Sequence, residues 1–188
     1  MAVLIAGMTQ SLDGYVADAN GSVERLYSDL ADLQGSPYMN ALVAQTGAVL
    51  MGRRTFEMGD PDSYAGSYEF QVPIFIVTHR SPTIPPRQSG GLSFTFVTEG
   101  LISAVAQAKE AAGKKAVTVV GGANLVRQLL RAGLVDELHV DVMPVLLGDG
   151  LRLFDGVDPF DVALGNPTVE QVGARTSLRF PVRRGALP

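Results

Sequence analysis

The groups in this chain best suited to chemistry stand directly behind short apolar runs. AVLMG (48–52) is followed by Arg53, Arg54 and Thr55, PIFIVT (73–78) ends at Thr78 and is followed by His79 and Arg80, and AVTVV (116–120) is followed by Gly121, Gly122, Ala123 and Asn124. A guanidinium grips a phosphate through parallel N–H donors. Paired glycines before a helix let the backbone approach an anion that the exposed amides and the positive helix end favour. Together these groups suit a dinucleotide, with a pyrophosphate at Gly121-Gly122. The two cationic loops, Arg53-Arg54 and His79-Arg80, can enclose a ribose 2′-phosphate, which favours NADPH over NADH. Each feature also has a plainer reading. Arg53 and Arg54 can open a solvated helix and pair with Glu57 or Asp60, and the glycines can simply turn a strand into a helix, since neither the GxGxxG nor the P-loop pattern is present. A positive side chain in a first helical turn opposes the helix dipole, a local cost that an incoming anion would offset.

Other chemistries find little support. The chain has no cysteine and only two histidines, His79 and His139. That excludes a disulfide framework, a thiolate nucleophile and a zinc ribbon, and leaves too few ligands for a histidine-based metal centre. His139 alternates with Leu138 and Val140 and is expected to face solvent or a hydrogen-bonded edge. Ser11 lies in no nucleophile elbow, and Lys114-Lys115 follow a helix-ending glycine as solvated residues. Among the acids, Asp60 in TFEMGDP and Asp13 in SLDG are the substrate-facing candidates, although each also suits a turn, ahead of Pro61 and before Gly14. A net charge of −4 gives no overall positive field for nucleic acid or an anionic membrane. The only arginine pairs are Arg53-Arg54 and Arg183-Arg184. The opening MAVLIAGMTQ lacks a basic leader region, and no apolar run approaches the roughly 18 residues of a membrane span, so a cytoplasmic protein is expected.

The elements that must position these groups can be read from periodicity. VLIAGM (3–8), AVLMG (48–52), PIFIVT (73–78), SFTFVT (93–98), AVTVVGG (116–122) and ELHVDVMPVLLG (137–148) read as strands. Ser36 is a candidate N-cap for a helix over 37–46 with Pro37 in its first turn. A short helix follows from Arg54, and longer helices cover 101–113 and 124–133, each closed by glycine. Strands alternating with helices imply a mostly parallel sheet with helices on both faces. The tail TVEQVGARTSLRFPV reads as two strands around a Gly-Ala-Arg turn, placing antiparallel strands at the sheet edge. Phe154 and DGVDPFDVAL (155–164) read as loop packing. With 188 residues and no linker, repeat or low-complexity tract, a single domain over 1–188 is expected.

MGRRTFE resembles the MGR-x-T-[WF]-E segment of dihydrofolate reductases. VVGGANLVRQLLRAGLVDELHVDVMPVLLGDGLRLF resembles the C-terminal part of the bacterial riboflavin-biosynthesis reductase domain, and MTQSLDGYVADANG is similar to the opening of the same group. The resemblance implies a dihydrofolate-reductase-like three-layer α/β/α fold, with a mixed, mainly parallel sheet and antiparallel C-terminal edge strands. It implies NADPH as cofactor, with Ala17 beside the nicotinamide, Gly52, Arg53, Arg54 and Thr55 on the adenosine-side phosphates, Thr78, His79 and Arg80 on the ribose phosphate, and Gly121, Gly122, Ala123, Asn124 and Leu125 on the pyrophosphate. The implied activity is reduction of a small heterocyclic or ribosylamino substrate such as 5-amino-6-(5-phosphoribosylamino)uracil, by a homodimer joined through the C-terminal strands. Two alternatives stay open. One is a dihydrofolate- or dihydropteridine-type reductase, against which GSPYMNALV offers no helix acid unless Asp32 substitutes. The other is an NADPH-binding module without turnover.

Overall fold

The computed structural model describes residues 2–159 and 162–184. In chain order the elements are β1 (Leu4–Ser11), β2 (Tyr15–Ala17), α1 (Leu30–Leu33), α2 (Pro37–Gln45), β3 (Thr46–Gly52), α3 (Arg53–Phe56), α4 (Tyr64–Ser67), β4 (Ile74–Val77) and β5 (Phe94–Val97). They continue with α5 (Leu101–Ala112), β6 (Ala116–Val119), α6 (Ala123–Arg131), β7 (Glu137–Met143), β8 (Leu151–Arg152), β9 (Val162–Leu164), β10 (Thr168–Val172) and β11 (Arg175–Arg184). The architecture is mixed α/β, with a mostly parallel central sheet and antiparallel edge strands, as the alternation of strands and helices implies. Two compact units can be distinguished, one built from the residues up to Leu4 and Leu42–Gly122, the other from Ile5–Ala41 and the chain from Ala123 onward.

In the first unit β3 pairs in parallel with both β6 and β4, and β4 with β5. Parallel strands bring their carboxyl ends to one edge, where α/β sheets bind ligands. Val49, Leu50, Ile74, Ile76, Val117 and Val119 are fully buried, which is why these strands read as continuous apolar runs rather than alternating ones. The α5 helix closes on this sheet so tightly that a Cβ on Gly47 would lie 2.6 Å from the Ala112 carbonyl. Beneath the strand ends, Phe56 packs with Phe94 and Phe96 at centroid distances of 5.6 and 5.4 Å, and with Tyr64 at 5.6 Å.

In the second unit β7 lies between β1, parallel, and β11, antiparallel, and β10 completes an edge hairpin with β11. The α6 helix buries Leu125, Val126, Leu129 and Leu130, the stripe that its periodicity implies. Ser36 accepts from the Met39 amide at 3.2 Å, so the expected cap of α2 forms with Pro37 at its start.

Several expectations are corrected. β6 ends at Val119, because Gly121 has φ of +111° and leaves the extended path. The hairpin turn is Gly173-Ala174, and Arg175 is the first residue of β11 with only 2 % of its surface exposed. His139 is buried rather than solvent-facing and its Nε2 shares a 3.1 Å hydrogen bond with Glu137, while β1 and β11 on either side of β7 mean that it lies on no sheet edge. Phe154 is 42 % exposed rather than buried by loop packing. The following loop is tied to α6 by arginines instead, Arg127 donating to the Asp155 carbonyl and Arg131 to that of Gly156. Within DGVDPFDVAL, residues 162–164 form β9 against β11, while Phe160 and Asp161 lie outside the described residues.

Candidate functional site

In the first unit the structure brings two of the sequence-selected segments into contact. The Gly52 amide donates to the Gly121 carbonyl at 3.0 Å, so the turn after β6 is stitched to the end of β3. A Cβ on Gly122 would come within 3.3 Å of the Thr55 hydroxyl oxygen, which sets how near these backbones lie. The α3 turn is anchored from below by Phe56, 4 % exposed, while Arg53 and Arg54 remain exposed on its outer side. Because α3 is a single turn of four residues, its dipole is small and the dipole argument for an anion carries little weight.

The two arginines differ. Arg53 Nε donates to Glu57 at 2.7 Å, both side chains about half exposed. Such a surface pair contributes about 0–1 kcal/mol and yields readily to a stronger anion. Arg54 has no ion pair or hydrogen-bonded side-chain partner among the described residues. Gly52 is in register with Val77 at the end of the neighbouring β4, so Thr78, His79 and Arg80 leave the sheet beside the arginine turn. Thr78 is buried and its hydroxyl bridges the Arg80 backbone, donating to the carbonyl at 2.9 Å and accepting from the amide at 3.3 Å. His79 and Arg80 are exposed.

The two candidate acids are engaged by backbone. Asp60 caps the turn at Pro61–Ser63, accepting from the Asp62 amide at 3.1 Å, and is exposed. Asp13 accepts from the Leu147 and Gly148 amides at 3.1 and 2.7 Å, clamping the loop after β7 to the turn after β1. A hydrogen bond from Ser11 and these amides hold its carboxyl down to about 2.

In the second unit Ala17 is buried at the end of β2, which pairs with β8, and Ala123 and Leu125 are buried at the start of α6 while Asn124 is exposed. Gly150 holds Ala17 closely, since a Cβ there, at φ of +136°, would overlap the Ala17 carbonyl.

Sequence reasoning missed a charged network at the carboxyl ends of β1 and β7. Thr9, Asp141 and Ser177 lie side by side on β1, β7 and β11. Arg175 donates to both oxygens of Asp29 at 2.9 and 2.6 Å, to Asp141 at 3.1 Å and to Thr9 at 3.2 Å. The Tyr38 hydroxyl donates to Asp141 at 3.0 Å, and burial beside that carboxylate pushes it up to about 12. The Arg175 guanidinium keeps Asp29 well below the usual carboxylate range. Asp32, the acid selected as a substitute, is exposed, and Asp29 at the start of α1 is the buried one. One further group was not foreseen: Gln10, next to last in β1, whose Oε1 is buried with no hydrogen-bond partner among the described residues. A polar residue closing an apolar strand was its only sequence signal. The described residues contain no cluster of metal-ligating side chains, and no helix among them is long and apolar enough to cross a membrane.

The family model described as RibD C-terminal domain matches residues 2–178. The uncharacterized protein YyaP of Bacillus subtilis (strain 168) is 26 % identical over 161 residues, covering 80 % of this chain and 79 % of that protein. Among solved structures, a Shewanella sp. PV-4 protein assigned to riboflavin biosynthesis superposes with a TM-score of 0.76 at 24 % identity, over 98 % of this chain and all of that one. Dihydrofolate reductase from Enterococcus faecalis, solved with NADP(H), superposes with a TM-score of 0.55 at 17 % identity, over 96 % of each chain. At these identities the structural matches speak to the fold.

Proposed function

The chain belongs to the RibD C-terminal domain family, and from that premise we propose that it is an NADPH-dependent reductase acting on a ribosylamino-substituted pyrimidine of the 5-amino-6-(5-phosphoribosylamino)uracil type. The observation that carries this reading is the Gly52–Gly121 apposition at the carboxyl edge of a parallel sheet, with Arg54, unpaired among the described residues, beside it. In the first unit, Arg54 and Arg80 are the cations for the ribose phosphate, with Arg53 released from Glu57, His79 beside them and Thr78 shaping the loop. Gly52, Thr55, Gly121 and Gly122 offer close backbone approach to the remaining phosphates. In the second unit, Ala17 is assigned to the nicotinamide and Ala123, Asn124 and Leu125 to the pyrophosphate. The buried Gln10 Oε1 fits the group, because an orphaned acceptor in an apolar strand is costly until an N–H reaches it.

When bound, NADPH supplies the hydride that reduces C1′ of the ribosylamino group. The chain's own contribution is positioning. Asp13 stays ionised at neutral pH and both its oxygens are occupied by amides, so it orders the loop after β7 rather than donating a proton. With Asp60 also engaged as a cap, water is the proton source in this reading. A dihydrofolate-type activity is disfavoured, since the buried acid at the first helix, Asp29, is already neutralised by Arg175.

The same engagement of both acids favours, as a second reading, a nucleotide-binding module without turnover. Loss of NADPH absorbance on adding the ribosylaminopyrimidine, with none on adding dihydrofolate, supports the reductase. Binding of NADPH without consumption of any pyrimidine or pterin supports the module. The β10 strand, paired among the described residues only with β11 and exposing Val169 at 60 %, is the proposed edge for a homodimer, to be checked by sedimentation.

A further inference from the structure

Tyr27 is an inverted tyrosine. A tyrosine at a protein surface ordinarily buries its ring and shows its hydroxyl to water. Here burial of the hydroxyl end pushes its pKa upward, an effect that Thr9 and Arg175 beside it only partly offset, while 36 % of the residue remains exposed. What faces solvent is therefore not the hydroxyl end. Thr9 is two residues from the end of β1 and in register with Asp141 of β7, so the ring stands at the carboxyl edge of this parallel pair, where α/β sheets take their ligands.

The ring is also held firmly. The Arg175 guanidinium lies 6.0 Å from its centroid and is itself fixed by Asp29, Asp141 and Thr9. The Tyr27 amide donates to Glu24, and its carbonyl accepts from Leu30, a neighbour that is 43 % exposed and widens the apolar surface. Two carboxylates against one guanidinium leave the network beneath the ring with an excess negative charge, which suits an electron-poor, N–H-bearing ring above it. A planar group with its polar end already satisfied loses little freedom when another ring covers it.

We propose that Tyr27 is a specificity-determining residue of this enzyme, the platform on which the heterocyclic ring of the substrate stacks. The inference rests on the reductase reading and deepens it by naming the contact that selects a planar nitrogen heterocycle.

The test compares wild type, Tyr27→Phe and Tyr27→Leu in two assays. In steady state with the ribosylaminopyrimidine, Tyr27→Leu is expected to raise the substrate KM about tenfold or more, the order of a lost base–aromatic stack. Tyr27→Phe, which keeps the ring, should stay near wild type, and the NADPH KM should move in neither variant. In direct titration with lumazine, a planar fluorescent pteridinedione, Tyr27→Leu is expected to lose binding that wild type and Tyr27→Phe retain. The second assay needs no turnover, so lumazine binding without NADPH consumption would sink the reductase while leaving the platform standing. An unchanged KM and unchanged lumazine binding in Tyr27→Leu would overturn the platform. So would failure of the wild type to bind lumazine, or a parallel rise in the NADPH KM, which would mark a merely structural role.

Discussion

Replacing Arg175 by methionine keeps most of the side-chain volume and removes the charge from a site where only 2 % of the residue reaches solvent. The guanidinium makes two bonds to Asp29, at 2.9 and 2.6 Å, one to Asp141 at 3.1 Å and one to Thr9 at 3.2 Å. Its loss leaves two carboxylates, with side chains 9 % and 13 % exposed, facing each other without a cation. Breaking a buried pair from one side costs about 3–5 kcal/mol, because the remaining charge stays desolvated. For a chain of this size that corresponds to a fall in Tm of roughly 6–20 °C. The sign of the pH dependence follows from Asp29. In the native chain its depressed pKa contributes stability that is present above the ordinary carboxylate value and lost as pH falls through the depressed one. In Arg175→Met the same carboxyl is buried without a partner, its pKa rises, and the deficit should shrink as pH drops from 7 towards 4. Calorimetric melting across that range, with Arg175→Met/Asp29→Asn expected to recover part of the loss, checks both magnitude and sign. A Tm within about 2 °C of wild type, well below the range expected for a buried pair, or a deficit that does not change with pH, would refute the reasoning.

Other outcomes follow from the same geometry. Phe56→Ala, which empties the aromatic cluster under the arginine turn, should cost about 3–5 kcal/mol in urea unfolding and weaken NADPH binding as the anchor of α3 is lost. Asp13→Asn should speed hydrogen exchange at the Leu147 and Gly148 amides while leaving NADPH affinity unchanged. The stabilisation from Asp13 itself should persist down to pH 4 and fade only as pH falls towards about 2, visible as protection of the same amides in an acid titration. Gly150→Ala, whose added Cβ overlaps the Ala17 carbonyl at a positive φ, should abolish turnover by displacing Ala17, measured as NADPH consumption in a variant that still shows a cooperative melt.

Strands buried on both faces and helices with one apolar stripe announce themselves locally, which is why β3, β4, β6 and α6 could be read directly from the chain. The loops at the strand ends, 53–55 and 78–80, were legible for the same reason, since each follows its strand without a gap. Arg175 was not, because its partners Asp29 and Thr9 lie 146 and 166 positions away and an arginine after Gly-Ala looks like a turn residue. That β7 is an interior strand rather than an edge likewise depends on β11 arriving from the far end of the chain to pair with it. β2, β8 and β9 are two or three residues long, too short for any periodicity to show. Nor could composition tell which of two adjacent arginines carries a neighbouring glutamate, the feature that separates Arg53 from Arg54.

The central claim is that the exposed arginine turn after β3 reads a cofactor phosphate. Its most direct test is calorimetric titration of wild type and Arg54→Ala with NADPH and with NADH. The account predicts that wild type prefers NADPH, and that Arg54→Ala weakens NADPH by about 10- to 100-fold, the worth of a charge-assisted hydrogen bond, while leaving NADH where it was. Equal affinity of the wild type for the two nucleotides, or an Arg54→Ala variant that binds NADPH as tightly as its parent, would contradict it.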